Sequence, residues 1–308
     1  MIYENLLQAI GNTPLVKVDF GTPANIYAKL EYLNPGGSIK DRSALYMIEY
    51  AEKNGLLKPG GTIIEASSGN QGIASAMIGA IKGYNVIITV SEKVSKEKRD
   101  TLSAYGVKVV TCKPTLHLTD PESYHSEALR IHKATPNSYM LNQYFNLNNG
   151  EAHYSLLGPE IWKETKGTVT HICGGVGSGG TVCGTGRYIK EQNPNVKVLG
   201  VDSPCSFRST NGNPQPYSLE GMGVDFDAPN LDKNIIDEFL LTSDADAIAM
   251  LKELACKHGL LVGPASGAVA HAVKKYSQNL TPRDTVVMIF GDSGRAYLTK
   301  GFYGPQAS

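Results

Sequence analysis

The sequence predicts an α/β protein with two doubly wound, mostly parallel sheet domains. The chain has 308 residues, which is long enough for two domains that each bury a core. Short runs rich in Ile and Val alternate with helical patterns, as is typical of parallel strands that are covered on both faces. The alternation occurs in two series, one before and one after the polar stretch at residues 146–150.

Each series can be divided into elements from its apolar pattern. The first series predicts strands at 62–66, 86–90, 107–111 and 138–142. Its helices are predicted at 43–53, 72–82, 95–105 and 122–133, with a loop at 114–121. The second series predicts strands at 169–173, 196–201 and 285–290, and helices at 182–192, 244–258 and 266–277. Residues 203–232 are rich in Pro, Gly, Asn and Ser and predict a long loop, a feature that is often functional.

Composition excludes several classes of partner. Lys plus Arg and Asp plus Glu number 29 each, so the chain has no electrostatic footprint for nucleic acid or an anionic membrane. No apolar run approaches the roughly 18 residues of a membrane span, and no signal peptide is visible at the amino terminus. The five cysteines form no Cys-x-x-Cys pair and indicate reduced thiols in the cytoplasm. The seven histidines show no metal-ligand spacing, so we expect structural or surface roles and no metal.

Lys40 stands in an unusual setting. Two glycines and a serine precede it closely, and a helical pattern follows it. A lysine at a helix start lies at the positive end of the helix dipole, which disfavours the ammonium form. The neutral amine is the form that Schiff-base chemistry needs. Taken alone, the same pattern also fits a surface lysine after a turn.

Two further loops each join a predicted strand to a predicted helix. In the loop 177–181, glycines allow backbone N–H groups to converge on a phosphate, although the Lys-Ser/Thr of a Walker loop is absent. The hydroxyl and amide groups of the loop 67–72 suit a carboxylate. A structural turn and a simple serine N-cap are the alternatives. Together with Lys40, the two loops indicate a cofactor with an aldehyde and a phosphate that acts on amino acids, namely pyridoxal phosphate.

Three stretches carry a resemblance to a known family, namely residues 10–15, 29–42 and 292–300. They resemble the cysteine synthase and cystathionine β-synthase family of pyridoxal-phosphate enzymes, which have fold type II, like tryptophan synthase β. The motif Gly-Gly-Ser-Ile-Lys-Asp-Arg at 36–42 is highly specific. The details are most similar to the cystathionine β-synthase branch at 120–123, 142–146, 152–154, 220–226 and 292–300.

The resemblance implies a cofactor in the cleft between two domains. It implies a larger domain of residues 1–40 and 147–308 that binds the cofactor phosphate, and a smaller mobile domain of residues 41–146 on the substrate side. Lys40 would bind the cofactor covalently and act as the catalytic base. The other implied cofactor contacts are Asn70 at the ring hydroxyl, Gly177, Ser178, Gly179, Gly180 and Thr181 at the phosphate, and Ser266. The implied substrate contacts are Ser67, Ser68, Gly69, Gln71, Gln143 and Gly221.

The sequence departs from the family pattern at two positions. Gln71 stands where the family usually has a threonine, and its longer side chain with an amide reshapes the expected amino-acid pocket. Ala265 stands where the family usually has the serine next to the pyridine nitrogen, and Ser266 follows it. Ser266 either takes over the role of that serine or is only the N-cap of the next helix.

The resemblance implies β-replacement on L-serine or an O-activated L-serine through an aminoacrylate. With homocysteine as acceptor the product is cystathionine, which we favour because the acids Asp120, Glu122, Glu220 and Asp225 could receive an ammonium group. With sulfide the product is cysteine, and a desulfhydrase or diaminopropionate-forming relative is a third possibility. A non-catalytic binding module on the same fold is the alternative from another class, and the intact Lys40 argues against it. The family is commonly homodimeric, so a homodimer is expected.

Overall fold

The structure is a computed structural model that describes residues 2–94, 96–115 and 117–304, without the side chain of Glu97. The chain divides into two compact units. The first unit comprises Met1–Ile10 and Asn34–Asn149, and the second comprises Gly11–Leu33 and Gly150–Ser308. The sequence analysis expected boundaries after residues 40 and 146. The observed division includes Lys40 in the first unit.

The strands are β1 Leu15–Lys17, β2 Asn25–Leu30, β3 Thr62–Glu65, β4 Asn85–Ser91, β5 Lys108–Cys112, β6 Ser138–Met140, β7 His171–Gly175, β8 Lys197–Asp202, β9 Glu238–Leu241 and β10 Thr285–Phe290. The helices are α1 Lys40–Lys53, α2 Asn70–Lys82, α3 Lys96–Ala104, α4 Tyr124–Ala134, α5 Asn148–Ala152, α6 Gly158–Glu164, α7 Gly180–Gln192, α8 Asp244–His258 and α9 Pro264–Tyr276. Every element predicted from the two series is confirmed, with ends that differ by a few residues. Ser95, the predicted start of the third helix, lies outside the described residues.

The first unit contains a four-stranded parallel sheet in the order β5-β4-β3-β6. All four residues of β3 are buried, as expected for a strand that is covered on both faces. The chain runs from β3 through β4 to β5 on one side, and β6 returns to the other side of β3. The strand order therefore reverses between β3 and β6, and ligands of such sheets bind beyond the carboxyl ends of the strands at this point.

The second unit contains a six-stranded sheet in the order β1-β2-β10-β7-β8-β9. Only β1 is antiparallel to its neighbour among the described strands, and β10 is buried at every residue. From β7 the chain proceeds to β8 and β9 on one side, while β10 lies on the other side of β7. This sheet also has a point of reversal, between β7 and β10. The two parallel sheets confirm the predicted α/β class.

The apolar pattern of the sequence predicts no strand at β2, because a buried lysine interrupts the pattern. Lys29 of β2 is fully buried, although lysine is rarely found inside a protein without a partner. Its ammonium group lies 3.0 Å from Glu160 Oε2 and 2.8 Å from Glu164 Oε2, and it donates to the Thr13 carbonyl oxygen. Both glutamates belong to α6, a helix that the sequence pattern does not predict either.

None of the described helices is long and apolar enough to cross a membrane.

Candidate active site

Lys40 is the first residue of α1 and follows a tight glycine turn in the first unit. Gly37 has a φ of +85°, which favours glycine, and its N–H donates to the Asn34 carbonyl oxygen at 2.8 Å. The Lys40 N–H donates to Ser38 Oγ at 3.2 Å. The turn therefore ends at a defined position, with a half-buried Lys40 side chain at the start of the helix.

A carboxylate on α1 holds this turn in place. Asp41 is fully buried, and its Oδ2 accepts a hydrogen bond from the Gly36 N–H at 2.6 Å. A Cβ at Gly36 would lie 2.4 Å from Asp41 Oδ1, so no larger residue fits there without displacing the carboxylate. The Gly-Gly-Ser-Ile-Lys-Asp motif is thus a turn in which the side chain of the last residue, Asp41, binds the backbone of the first residue, Gly36.

The predicted carboxylate loop follows β3 at the point where the strand order reverses. Helix α2 begins at Asn70 after Gly69, which cannot provide a side-chain cap. The earlier alternative, in which Ser67 or Ser68 is the N-cap, is therefore wrong. A Cβ at Gly72 would lie 2.0 Å from the Ser67 carbonyl oxygen, so the loop packs directly on the first turn of the helix.

Two predicted substrate contacts from different segments are both buried in the first unit. Gln71 is 1% exposed, and its Nε2 has no hydrogen-bond partner among the described residues. Gln143 follows β6, and its carbonyl oxygen accepts a hydrogen bond from Asn149 Nδ2 at 2.8 Å. Because β3 and β6 are neighbours in the sheet, the segments that follow these two strands leave the same edge.

Glu65, the last residue of β3, was not identified from the sequence. Its side chain is 1% exposed, and its Oε2 accepts a hydrogen bond from the Asn142 N–H at 2.8 Å. Burial raises the pKa of Glu65 to about 8, against the opposing effects of the Asn142 and Gln143 backbone N–H groups and the Lys40 charge. The carboxyl group thus links the end of β3 to the segment that carries Gln143. An acid at the end of an apolar strand was the signal in the sequence.

In the second unit, the predicted phosphate loop follows β7 at the other point of reversal. Helix α7 begins at Gly180 after Gly179, which has a φ of +89°. A Cβ at Gly179 would lie 2.6 Å from Leu231 Cα, and a Cβ at Gly177 would lie 3.3 Å from the Gly221 carbonyl oxygen. The close approach of two other backbone segments requires glycine at Gly179 and favours it at Gly177. At the start of this helix no side chain caps the backbone N–H groups. Such a loop fits a phosphate.

His153, one of the histidines for which the sequence predicts a structural or surface role, contacts this loop. It is fully buried, and its Nε2 lies 3.2 Å from Thr181 Oγ1. It begins a single π-helical turn, His153–Leu157, and such turns are frequent at functional sites.

Among the residues that the structure describes, no group of three or more His, Cys, Asp or Glu could hold a metal ion.

Ala265 and Ser266 have different surroundings in the structure. Helix α9 begins at Pro264 after Gly263, so Ser266 lies inside the first turn and is not the N-cap. A Cβ at Gly175 would lie 3.6 Å from the Ala265 Cβ, and a Cβ at Gly221 would lie 3.4 Å from it. The side chain that faces these glycines is therefore Ala265. Ser266 is buried, and its Oγ has no hydrogen-bond partner in the described part of the chain.

Three helices of the predicted site start in the same way. Helices α2, α7 and α9 all begin after a glycine, and none has a side-chain cap. By contrast, α4 and α8 are capped by Ser123 and Ser243, whose side chains accept from the backbone N–H groups of Ser126 and Asp246. Because the first N–H groups of a helix lack intrahelical partners, α2 and α7 leave donors for a ligand. Helix α9 offers fewer donors, since Pro264 has no N–H and the Ser266 N–H donates to the Gly263 carbonyl oxygen at 3.0 Å.

The acids proposed for an ammonium group differ in their surroundings. Glu220 Oε1 lies 3.1 Å from Lys300 Nζ. In the first unit, Asp120 Oδ1 accepts from the Glu122 N–H at 2.9 Å. Asp225 is exposed, and its Oδ1 lies 3.4 Å from the Tyr217 hydroxyl.

Comparisons with known proteins identify the family of the chain. A family described as pyridoxal-phosphate dependent enzymes matches residues 6–292. The chain is 42% identical to cystathionine beta-synthase of Apis mellifera, and the match covers 97% of this chain and 61% of that relative. It is 40% identical to cysteine synthase of Helicobacter pylori over 98% of this chain and 99% of that relative. The chain thus spans only about three fifths of the cystathionine beta-synthase that it matches, but nearly all of the cysteine synthase.

Two solved structures share the fold over nearly the whole chain. One is an O-acetylserine-dependent cystathionine beta-synthase from Helicobacter pylori, with a TM-score of 0.90 and 38% identity, covering 98% of this chain and 99% of that one. The other is a hydrogen sulfide-producing enzyme from Fusobacterium nucleatum, with a TM-score of 0.89 and 35% identity, covering 96% and 98%.

The phosphate loop predicts the effect of an alanine at Gly179. The Gly179→Ala variant combines a positive φ with a backbone overlap, so we expect a loss of about 3 kcal/mol in the free energy of unfolding. The variant should also retain less pyridoxal phosphate after dialysis. Gly259→Ala is the matched control, since Gly259 has a φ of +68° and its Cβ would meet nothing within 4 Å. It should cost only about 1 kcal/mol and leave cofactor retention unchanged. Equal losses from both variants would contradict the proposed close approach.

The buried Glu65 predicts a pH dependence of stability. Its pKa in the folded protein is about 8, above its ordinary value of 4.5, so the folded state holds this proton more tightly than the unfolded state. The resulting stabilisation is complete below pH 4.5 and decreases as the pH rises towards 8. Urea unfolding of the wild type and of Glu65→Gln at pH 5 and pH 8.5 measures it. The stability difference in favour of the wild type should shrink by at least about 1 kcal/mol over this range. A constant difference would contradict the shifted pKa.

Proposed function

The chain belongs to the family of pyridoxal-phosphate-dependent enzymes, and from this premise we propose that it converts L-serine or an O-activated L-serine, together with homocysteine, into cystathionine. Pyridoxal phosphate is its cofactor, and the family relatives indicate β-replacement as the reaction class. The observation that carries the choice of acceptor is the loop 220–226. On this loop an exposed acid, Asp225, follows the predicted substrate contact Gly221.

Several features of the first and second units support the cofactor contacts in this proposal. Lys40, at a helix start behind the closed glycine turn, would hold the cofactor covalently and would move the α-proton of the substrate. The bound cofactor supplies an electron sink for the α-carbon. The uncapped start of α7 supports the phosphate contacts, and His153 would orient the Thr181 hydroxyl among them. The remaining proposed contacts are Asn70 at the start of α2 and Ser266, which has a buried hydroxyl to offer.

The substrate carboxylate is assigned to the loop that follows β3. Ser67, Ser68 and Gly69 precede a helix whose first N–H groups lack a side-chain cap. The buried Nε2 of Gln71 needs an acceptor, and a carboxylate oxygen provides one. Gln143 would complete this contact, because Glu65 and Asn149 hold its backbone at the end of the neighbouring strand.

The acceptor is proposed on electrostatic grounds. Homocysteine carries an ammonium group of its own, whereas sulfide needs only an open path to the reacting carbon. Of the four acids considered from the sequence, Glu220 already pairs with Lys300, and Asp120 supports the backbone of its own loop. Glu122 is exposed but belongs with Asp120 to the first unit and not to the loop that carries Gly221. Asp225 is exposed next to a tyrosine hydroxyl and has a carboxylate to offer an incoming ammonium group.

Cysteine synthase is the second candidate, with O-acetylserine and sulfide as substrates. The full-length match to the cysteine synthase of Helicobacter pylori favours it. A desulfhydrase is a related possibility that the Fusobacterium nucleatum structure supports through its described production of hydrogen sulfide. A diaminopropionate-forming enzyme has only the Gln71 departure in its favour. We further propose a homodimer in the cytoplasm, in keeping with the family resemblance and with cysteines that form no Cys-x-x-Cys pair.

Lys40 should carry the cofactor. Borohydride reduction followed by peptide mass spectrometry is expected to find the reduced cofactor on Lys40. The Lys40→Ala variant should lose turnover by at least about a hundredfold, since a positioned base contributes about 10²–10⁴-fold to proton transfer. Lys53→Ala, at the other end of α1, is the control and should keep full activity. An adduct on a different lysine would refute the assignment.

The acceptor can be tested with a matrix of donors and thiols. With L-serine or O-acetylserine as donor, kcat/KM for homocysteine should exceed kcat/KM for sulfide. Asp225→Asn should lower kcat/KM for homocysteine about fivefold, the upper limit for an exposed ion pair, and should leave sulfide unaffected. Glu220→Gln is the matched control, because the Glu220 charge is already used by Lys300. Turnover of sulfide without any turnover of homocysteine would favour cysteine synthase instead.

A further inference from the structure

The first turns of α1 and α2 are joined by one side-chain contact. Ser43 Oγ lies 3.2 Å from Gln71 Oε1 and 3.2 Å from the Lys40 carbonyl oxygen, and its single O–H proton can be donated to either acceptor. Ser43 is fully buried, and Gln71 is 1% exposed. The Gln71 amide therefore lies one helical turn from Lys40, in a place that is shielded from solvent.

This contact determines which atom of the amide remains available. A primary amide has an acceptor oxygen and a nitrogen with two N–H donors. The oxygen faces the Ser43 hydroxyl and is one of the two acceptors that its proton can reach, whereas Nε2 has no hydrogen-bond partner among the residues described. Buried donors without a partner are rare in folded proteins, so this nitrogen indicates a ligand atom that accepts hydrogen bonds.

The surroundings indicate that this acceptor carries negative charge. Lys40 and Asn70 begin α1 and α2, so the Ser43–Gln71 contact brings two helix N-termini together. The N-terminus of a helix has a positive potential and favours anions. Helix α2 also lacks a side-chain cap, since Gly69 precedes it. A carboxylate satisfies both requirements, because its oxygens accept hydrogen bonds and carry the charge.

We propose that Ser43 is a positioning residue that fixes the orientation of the Gln71 amide, so that the Nε2 donors face the carboxylate of the amino-acid substrate. The inference rests on the proposed function, since it assumes an amino-acid substrate in this part of the first unit. It also explains how the chain uses a glutamine where the family usually has a threonine. An amide can turn its oxygen or its nitrogen towards a ligand, and a Ser43 hydroxyl that donates its proton to Oε1 leaves the nitrogen for the ligand.

The test is a double-mutant cycle on ligand binding to the holoenzyme. Calorimetric titration would use L-alanine, which has no β-substituent to lose, and L-alaninamide, which lacks the carboxylate. Ser43→Ala should weaken binding of L-alanine about fivefold, and Gln71→Met about twentyfold. The double variant should bind like Gln71→Met, because Ser43 acts only through the amide. Binding of L-alaninamide should change less than twofold in every variant.

Ser75→Ala is the matched control. Ser75 is an equally buried serine, and its hydroxyl also bonds to Gln71, but to the backbone carbonyl oxygen at 2.7 Å. This variant should bind L-alanine like the wild type. Gln71→Met puts an apolar side chain of similar length in place of an amide whose nitrogen has no described partner. The variant is therefore expected to fold.

Two results would overturn the inference. One is wild-type binding of L-alanine by Ser43→Ala, and the other is additive effects in the double variant together with an equal loss for L-alaninamide. Either result leaves the proposed function intact, because turnover of serine donors and thiols is measured separately. Conversely, a holoenzyme that shows the expected cycle but replaces no β-substituent contradicts the proposed function alone.

Discussion

Helix N-termini without side-chain caps are the constraint on which the predicted site depends. The first N–H groups of every helix lack intrahelical partners and need another acceptor. In α4 and α8, Ser123 and Ser243 provide this acceptor from within the chain. In α2, α7 and α9 a glycine occupies the same position and provides none. In α2 and α7 the chain therefore places donors for carboxylate and phosphate groups on its backbone, and their positions depend on the strands that precede the two helices.

Sheet topology determines where these helix starts lie within each unit. The loop before α2 follows β3 beside β6, and the loop before α7 follows β7 beside β10. Both places are points at which the strand order reverses, so neighbouring connections diverge and leave room for a ligand. In the first unit a single carboxyl group, that of Glu65, joins the ends of β3 and the segment after β6. The backbone N–H groups of Asn142 and Gln143 both interact with this carboxyl group, whose pKa is about 8. The backbone position of Gln143 is therefore coupled to the charge of a buried group.

Most of the fold could be predicted because its central parallel strands, such as β3 and β10, are buried on both faces and are nearly continuous apolar runs. The strand β2 could not, since Lys29 interrupts its pattern and is tolerated only through acids that lie far away in sequence. The two loops were recognisable because their glycines and hydroxyls lie together in the chain. Glu65 and His153 were missed for the opposite reason. Their partners, Asn142 and Thr181, are brought to them only by the folded chain.

The two departures from the family pattern both lie just after a glycine at a helix start, and they have opposite physical effects. At Gln71 the chain gains a longer side chain with more donors, and such a side chain is specific only when its amide has one orientation. The hydroxyl of Ser43, on a different helix, supplies that restraint. At Ala265 the chain loses a hydroxyl next to Gly175 and Gly221, and the nearest serine in sequence points its oxygen to a place without a described partner. Because the backbone donors come from the helix starts themselves, such side-chain changes can alter selectivity without removing the sites for phosphate and carboxylate. Differences in substrate among proteins of this fold are therefore expected to arise at these side chains more than in the loops that carry them.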